Sequence, residues 1–559
     1  MSLTSCNVLR GRCTWISLLV AIIGVPTMTL SGADRTLDGT GNHLVNPLWG
    51  AASIPFTRAS DFVTYDDGMS EPVVGMPNPR HLSNVLGDQP SPMADLRGLS
   101  DFVWQWGQFL DHDITLRRGG AEFMPIMVSD SVDPLRPMIP FDRSAIVPGS
   151  GTSVDNPRQQ ITDTTAYIDA SMVYGVEANR ASALRTFQGG QLAMDAFGLL
   201  PRNTGGFAND NQGPAAGETL FLAGDPRANE HVGLTSMHTL FVREHNRLAE
   251  SLVAEHPSWN DEQVYQRSRK IVGATIQAIT YNEYLPALLG SAAPNSSTAA
   301  YDSAVDPSIT NEFATAAFRL GHTQVSDTFR RRNDDGSMAA GGDISLKEAF
   351  FLPSYFDEST DVDVLLKGMS GQVQQRTDLR MPSALRDSMF GAPGSGGMDL
   401  FAINVQRGRD HGLPTYNDML RSMLITPITS FAEISSNPDT VAAMSSMYAS
   451  VEDIDLWVGL LAEDPMVDSA LGHTLQTIVA EQFDRLMVGD RFFYLWDDDL
   501  SAAEKSMISR TTLSDVILRN TSLTHLQSNV FFVPEPSGVC CCFLAVIALL
   551  SRRRAFASR

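Results

Sequence analysis

The stretch WGQFLDHDITL, residues 106–116, sets four polar side chains among aromatic and aliphatic ones. On a helix, Gln108, Asp111 and His112 share one face because they are spaced i, i+3 and i+4, while Asp113 points elsewhere at the helix end. Burying carboxylates and imidazoles is costly unless they are paired, bound to a metal or neutralised. The stretch is therefore either an amphipathic surface helix or a buried helix whose polar groups face a ligand.

Helical patterns dominate the chain from this stretch onward. Ser100 is a favourable N-cap for the first helix, with Asp101 in the first turn. LTSMHTLFVREHNRLAESLVAEH (234–256) and NEFATAAFRLGHTQV (311–325) repeat apolar residues every three or four positions, as amphipathic helices do. We therefore expect a mainly α protein, built as one large helical domain with little β structure.

Both ends of the chain predict targeting segments. Basic residues precede the apolar run WISLLVAIIGV and small residues follow it, which predicts a secretory signal peptide over residues 1–33. Residues 533–559 combine a Val-Pro-Glu-Pro motif, a short apolar run and three arginines, and they resemble the bacterial PEP-CTERM sorting tail. That resemblance implies a bacterial protein that is exported to the exterior or the cell surface, with a tail removed by an exosortase-type enzyme. Residues 34–532 then form the domain, which opens with an extended arm at 34–75.

The composition narrows the classes of function. Hydrophobic residues make up 43% of the chain and charged residues 19%, which suits a globular protein with a large core. A net charge of −23 argues against nucleic acid as a partner. The apolar part of the tail is too short for a stable bilayer span of roughly 20 residues. No cysteine lies between Cys13 and Cys540, which excludes disulfides and cysteine-ligated metals from the domain.

A second polar segment is TTAYIDASMVYG, residues 164–175. In extended backbone, Thr165, Asp169 and Ser171 project to one side because side chains alternate at period two. Hydroxyl and carboxylate oxygens with an intervening carbonyl are the ligands that Ca²⁺ prefers. A strand with a polar face explains the pattern equally well, so the residues alone leave both interpretations open.

Three further segments have simple structural explanations. In GDPRANEHVGL, Asp225 caps a helix whose first residue is Pro226, and Arg227 and Glu230 form an intrahelical salt bridge. In FRLGHTQ, His322 lies on an apolar helix, where a histidine is usually a core residue with satisfied hydrogen bonds. NVQRGRDHGLP has the composition of an ordinary loop.

Together and in this order, the segments resemble the animal-type haem peroxidases of the peroxidase–cyclooxygenase superfamily. The resemblance runs from RTLDGTGN through WGQFLDHD, DASMVYG, LTSMHTLFVREHNRLA, FRLGH and NVQRGRDHGLP to IDLWVGLLAED, GDRFFY and VILRNTSLTHLQSNVF, which is nearly the whole domain. It implies a secreted enzyme that reduces hydrogen peroxide and oxidises small reductants, such as phenols, bromide, iodide or thiocyanate, via a ferryl intermediate.

The resemblance also implies a role for each polar residue around a haem b. The catalytic residues would be His112 as the distal base, Arg227 as the distal arginine and Gln108 in the same pocket. The residues that hold the haem would be Asp111 and Glu230 through ester links, His322 through the iron, Asn404 by accepting the other ring N–H of His322, and Arg319 and Arg407 near the propionates. A Ca²⁺ ion would be bound by Asp113, Thr165, the carbonyl of Tyr167, Asp169 and Ser171.

Two positions depart from patterns known in the superfamily. His231 stands where one member has a methionine that bonds a haem vinyl group, so we expect no sulfonium link, poor chloride oxidation and a structural role for His231. A fatty-acid dioxygenase is the nearest alternative, but those enzymes use a tyrosine at the position that Arg319 occupies.

Two alternatives come from other classes of protein. One is a matrix or adhesion scaffold without catalytic activity, and the other is a non-haem protein that binds Ca²⁺ through its acidic residues and histidines. A scaffold has no need of the complete set of Gln108, His112 and Arg227, which the sequence retains.

Overall fold

The computed structural model of the protein describes residues 34–213, 215–358, 360–389 and 397–534. The predicted signal peptide and residues 535–559 of the predicted sorting tail lie outside the described residues. The α-helices of the described part, numbered in chain order, are α1 Pro79–Leu86, α2 Phe102–Ile114, α3 Ser171–Tyr174, α4 Ala178–Ala183, α5 Val232–Glu255, α6 Asp261–Ile279, α7 Leu285–Leu289, α8 Asn311–Thr315, α9 Gly321–Gln324, α10 Leu346–Ala349, α11 Thr360–Ser370, α12 Ser383–Arg386, α13 Leu400–Asp410, α14 Tyr416–Ser422, α15 Pro438–Met447, α16 Leu456–Ala462, α17 His473–Val488, α18 Ala502–Arg510 and α19 Leu513–Asn520.

Strands contribute little to the described residues, as predicted. Three antiparallel two-stranded sheets pair β1 with β4, β2 with β3 and β5 with β6. The strands are β1 Gly119–Phe123, β2 Ile126–Met127, β3 Met138–Ile139, β4 Asp142–Ser144, β5 Thr328–Phe329 and β6 Ile344–Ser345. The fold is therefore mainly α, as expected. None of the helices in the described residues combines the length and the apolar character that crossing a membrane requires.

Helix α2 runs through the core rather than over the surface. Most of its residues are buried, and it packs against α3, α5 and α9. Its polar side chains therefore cannot be explained as a solvated face. The helix begins at Phe102, so Asp101 occupies the N-cap position predicted for Ser100. Asp101 does not cap the helix, because its carboxylate turns inward and accepts hydrogen bonds from Trp104 and Ser326.

The segment before α5 is a turn, which corrects the predicted helix start. No helix begins at Pro226; residues 225–230 form turns and α5 starts at Val232. The Asp225 carboxylate accepts from the backbone N–H of Arg227 and from its guanidinium, so the chain closes a local loop before the helix. The predicted pair of Arg227 with Glu230 is replaced by a pair with Asp225.

Two other segments differ from the sequence predictions. Residues 311–325, predicted as one helix, form α8, the 3₁₀-helix Ala317–Leu320 and α9, with a break at Ala316, whose φ of −125° and ψ of −67° are not helical. NVQRGRDHGLP is mostly helical rather than a loop, because Asp399 caps α13 by accepting from the N–H of Ala402.

Candidate active site

A cavity of about 600 Å³ lies between α2, the turn before α5, the 3₁₀-helix, α9 and α13. This volume is in the range of pockets that hold small molecules and cofactors. The cavity is lined by eight of the residues that were predicted to bind a haem or to act beside it: Gln108, Asp111, His112, Arg227, Glu230, Arg319, His322 and Arg407. Asn404 contacts His322 from behind.

Gln108, Asp111, His112, Arg227 and Glu230 form what we term the His112 group. Burial and the nearby Arg227 lower the pKa of His112 well below its ordinary value, so its ring is neutral at physiological pH. Its Nδ1 lies 3.5 Å from Asp225 Oδ1, an electrostatic contact too long for a strong hydrogen bond. The carboxylate favours the tautomer with the proton on Nδ1, which leaves Nε2 as a proton acceptor.

Asp225 is the anchor of the His112 group that the sequence analysis treated only as a helix cap. Arg227 donates to its two oxygens from Nε at 2.9 Å and from Nη2 at 2.7 Å, and also donates to the carbonyl of Thr115. Burial pushes the pKa of Asp225 up, but Arg227 and His112 outweigh it and bring the pKa to about 2. A fixed carboxylate therefore holds the Arg227 guanidinium beside the cavity.

The two carboxyl groups predicted to form ester links are held by different partners. Asp111 accepts from the Thr115 hydroxyl at 2.6 Å and lies 3.5 Å from the Arg227 guanidinium. Glu230 accepts from the Gln108 amide at 2.8 Å and lies 3.9 Å from His112 Nε2. Burial raises the pKa of both, that of Glu230 to about 7.

Arg319, His322, Asn404 and Arg407 form what we term the His322 group. The predicted contact exists, because Asn404 Nδ2 lies 2.8 Å from His322 Nδ1. Its direction differs from the prediction: the amide donates to the ring, since Arg319 donates to the amide oxygen at 3.0 Å. Burial and the nearby Arg319 lower the pKa of His322 to about 3. Because Nδ1 accepts in this arrangement, the neutral ring carries its proton on Nε2.

Arginines near the His322 group repel one another. Burial and the nearby Arg117 lower the pKa of Arg319 to about 10 and that of Arg407 well below its ordinary value. Arg407 is paired with Asp410 at 2.9 Å, but within the described part of the chain Arg319 and Arg117 form no ion pair. All three arginines line the cavity, which therefore favours a ligand that carries anionic groups.

Part of the cavity wall is apolar. Phe141, Phe318 and Met389 contribute apolar surface. Gly321, next to His322, also lines the cavity, and a β-carbon built on it meets no atom within 4 Å. A neutral imidazole, a neighbouring open space and arginines for acidic substituents are the features that a haem needs. The residues present thus fit a haem.

The predicted Ca²⁺ ligands also lie together, although not on a strand. Residues 164–170 have no regular secondary structure, which corrects the extended backbone assumed from the alternation. Ser171 donates to Asp113 Oδ1 at 2.8 Å, and Thr165 donates to Asp169 Oδ2 at 3.1 Å. Burial raises the pKa of both carboxyl groups. Among the described residues, no cluster of three or more His, Cys, Asp or Glu is placed to hold a metal ion, and this pair has only two carboxylates.

Arg117 and Tyr284 are among the cavity residues that were not predicted from the sequence. Arg117 stands just beyond α2, in an Arg-Arg pair that sequence alone would assign to the surface. Tyr284 belongs to a π-helix, Thr280–Tyr284, an uncommon element that often occurs at functional sites. A β-carbon on Gly107 would lie 2.9 Å from the Tyr284 hydroxyl, so the glycine allows this close approach.

Comparison with known proteins gives consistent results. Residues 34–531 match the family described as animal haem peroxidase. The chain is 35% identical to peroxinectin A of Dictyostelium discoideum over 542 residues, which cover 93% of this chain and 99% of that protein. It is also 35% identical to the human peroxidasin homolog over 568 residues, but there it spans 38% of the longer protein.

Solved structures show the same relationship. Peroxidase A from Dictyostelium discoideum superposes with a TM-score of 0.82 at 34% identity, covering 89% of this chain and 99% of that one. A fatty acid alpha-dioxygenase from Oryza sativa superposes with a TM-score of 0.75 at 23% identity, over 90% of this chain and 88% of that one. The second similarity shows a shared fold alone.

Proposed function

The chain belongs to the animal haem peroxidase family, whose members are oxidoreductases that use peroxide, and we propose that the His112 and His322 groups are its catalytic and haem-binding residues. The proposal is supported above all by one observation, that both groups line the same cavity. A haem bound there through His322 would supply the redox chemistry that reduces hydrogen peroxide and oxidises a small reductant.

His112 is the proposed proton carrier. Because its ring is neutral and its Nε2 accepts protons, it can take the proton of a peroxide that enters the cavity and return it to the departing oxygen. Asp225, 3.5 Å from Nδ1, keeps the ring in the required tautomer and stabilises it while it is charged. Transfer by a positioned base of this kind contributes roughly 10²- to 10⁴-fold to a rate.

Arg227 and Gln108 complete the proposed peroxide site. Two contacts to Asp225 and one to the carbonyl of Thr115 fix the guanidinium before any substrate arrives. A preorganised cation stabilises the negative charge that develops as the O–O bond breaks. The Gln108 amide, held by its own hydrogen bonds, defines the adjoining wall of the cavity.

His322 would hold the haem iron through Nε2. Ligation at Nε2 requires the remaining ring proton on Nδ1, so Nδ1 must then donate. Asn404 can accept that proton only with its oxygen, which Arg319 engages in this structure. We therefore expect Arg319 to release Asn404 when a haem binds and to pair with an acidic substituent of the haem.

Further properties belong to the same proposal. Asp111 and Glu230 are the carboxyl groups for ester links to haem b. Asp113 and Asp169, with Thr165, Ser171 and the carbonyl of Tyr167, are the ligands proposed for Ca²⁺, because two adjacent buried carboxylates are best compensated by a cation with oxygen ligands.

Export is proposed from the two terminal segments. Residues 1–33 would direct secretion, and an exosortase-type enzyme would remove residues 533–559, as in bacterial cell-surface proteins with such tails. Mass spectrometry of the protein recovered from culture medium would identify both processed ends.

The test of function is peroxide-dependent oxidation of a phenol or of iodide by purified, haem-loaded protein. Peroxidase chemistry predicts turnover that depends on peroxide and falls by roughly 10²-fold or more in His112→Ala. Oxygen uptake with a fatty acid, without peroxide, would indicate a dioxygenase instead. Haem-loaded protein with neither activity would indicate a scaffold.

A further inference from the structure

His231, whose expected role was structural, is part of a chain of hydrogen bonds that ends at a carboxylate in the cavity. Its Nε2 lies 2.6 Å from Gln108 Oε1, and Gln108 Nε2 donates to Glu230 Oε2 at 2.8 Å. At the other side of the ring, the backbone N–H of Leu234 donates to His231 Nδ1 at 3.2 Å. The ring is buried and packs edge-on against Trp104.

The donors along this chain have one consistent direction. A backbone N–H can only donate, so Nδ1 of His231 is an acceptor and carries no proton. The neutral ring therefore has its proton on Nε2 and donates it to the Gln108 oxygen. With its oxygen occupied by His231, the Gln108 amide can present only its N–H groups to Glu230. His231 thus determines which end of Gln108 faces the carboxylate.

We propose that His231 is a positioning residue that, by orienting the Gln108 amide, holds the Glu230 carboxyl group in place for ester formation with a haem methyl group. The inference rests on the proposed function, because it requires a haem in the cavity. In the overall reaction the methyl carbon loses a hydrogen and gains a bond to the carboxyl oxygen, an oxidation by two electrons. Hydrogen peroxide is the oxidant and is reduced to two water molecules, which take up the methyl and carboxyl hydrogens.

Asp111 provides an internal control. Its carboxylate is held by the Thr115 hydroxyl at 2.6 Å and lies near Arg227, and neither residue takes part in the His231–Gln108–Glu230 chain. Loss of His231 should therefore change the link at Glu230 and leave the link at Asp111 intact. Loss of the Thr115 hydroxyl should have the opposite effect.

His231 also caps α5 through Nδ1, so a variant must separate the two roles. Asparagine is among the best N-cap residues, and its short side chain can cap the helix without reaching Gln108. His231→Asn therefore retains the cap and breaks the chain. His231→Phe removes both contacts, and Gln108→Met removes the amide while leaving His231 in place.

The experiment uses full-length, haem-loaded protein treated with limited hydrogen peroxide, followed by proteolysis and mass spectrometry of haem-bearing peptides. In the wild-type protein we expect links at both carboxyl groups. His231→Asn should lower the yield at Glu230 about fivefold or more, the effect of one lost hydrogen bond, with the Asp111 yield unchanged. Gln108→Met also alters the proposed peroxide site, so there we expect the ratio of the Glu230 yield to the Asp111 yield to fall by a similar factor. The double variant should show no further loss. Thr115→Val should lower only the Asp111 yield.

Equal yields at Glu230 in wild-type and His231→Asn proteins would overturn the inference, as would a parallel fall at both carboxyl groups, which marks general damage. A wild-type protein that binds haem and turns over peroxide without linking Glu230 would overturn it too and leave the peroxidase function standing. A wild-type protein that binds no haem would instead overturn the proposed function.

Discussion

The His112 group and the His322 group line one cavity but differ in how their charges are compensated. In the His112 group, Arg227 is paired with Asp225 at 2.7 Å, and the carboxyl groups of Asp111 and Glu230 each have a donor within 2.8 Å. In the His322 group, Arg319 has an amide and a carbonyl as partners, and its pKa is lowered by burial and by Arg117.

This difference indicates what each group requires. The His112 group is organised by contacts within the protein itself. A site that stabilises charge only during a reaction must be organised in this way. The His322 group lines the cavity with an imidazole and with positive charge that the protein compensates only in part, so it suits a ligand with acidic substituents. A haem would supply both a metal for His322 and acidic substituents for the arginines.

The largest effect is expected when the positive charge of Arg227 is removed from the His112 group. Arg227→Gln should slow the reaction with peroxide by roughly 10²- to 10³-fold while haem content stays the same, because one preorganised charge-stabilising group is lost. Stopped-flow mixing with peroxide measures the rate. Arg421→Gln, a change at a partly exposed arginine away from the cavity, is the matched control and should leave the rate unchanged. An unaltered rate in Arg227→Gln would remove this residue from the mechanism.

A second test concerns Glu230 before any ester forms. Its pKa of about 7 lies above its ordinary 4.5, so the folded protein binds this proton more tightly than the unfolded chain does. The stabilising contribution is fully present below pH 4.5 and is lost as the pH rises through 7, a difference of roughly 2–3 kcal/mol.

The Glu230→Gln variant has no titratable group at this position, so its free energy of unfolding should lack this change between pH 4.5 and 8. Urea unfolding of haem-loaded, peroxide-free protein at pH 4.5 and 8 measures the difference. The same slope in both proteins would show that Glu230 is not responsible.

The helical fold, and the set of residues that line one cavity, were predicted from the sequence more accurately than the local backbone geometry was. Helix α5 follows from apolar periodicity, whereas the residues alone left open whether α2 is buried, and the residues of both groups followed from the family resemblance. The turn at Pro226 was missed because the Asp225 carboxylate closes a local loop with Arg227, whose guanidinium also donates to the distant carbonyl of Thr115. The apolar spacing of residues 311–325 gives no sign of the break at Ala316. Periodicity also cannot reveal that Arg319 competes for the oxygen of Asn404.

Removal of Ca²⁺ tests whether the His112 group depends on its neighbour Asp113. Chelation should lower the free energy of unfolding by about 3 kcal/mol relative to protein in a hundredfold excess of Ca²⁺ over its dissociation constant. It should also slow the peroxide reaction, because Asp113 directly follows His112. Thermal unfolding with and without chelator measures the first effect. Asp169→Asn, which removes one proposed ligand, should be insensitive to chelator; a chelator effect of full size in that variant would contradict the site.

The smallest effect is expected from the His322 group. Asn404→Asp replaces a neutral partner of His322 with a carboxylate, which gives the ring more anionic character and stabilises ferric haem. The reduction potential of the haem should therefore fall, with the peroxide reaction changed about fivefold or less. Spectroelectrochemical titration measures the potential. An unchanged potential would show that Asn404 does not act on the haem through His322.

The most direct measurement is the visible absorption spectrum of the purified full-length protein, produced with ample haem, beside His112→Ala and His322→Ala. We expect an intense haem band in the wild-type protein, retained in His112→Ala and lost or clearly shifted in His322→Ala, because that change removes the proposed iron ligand. A colourless wild-type protein, or an identical spectrum in His322→Ala, would contradict haem binding through His322.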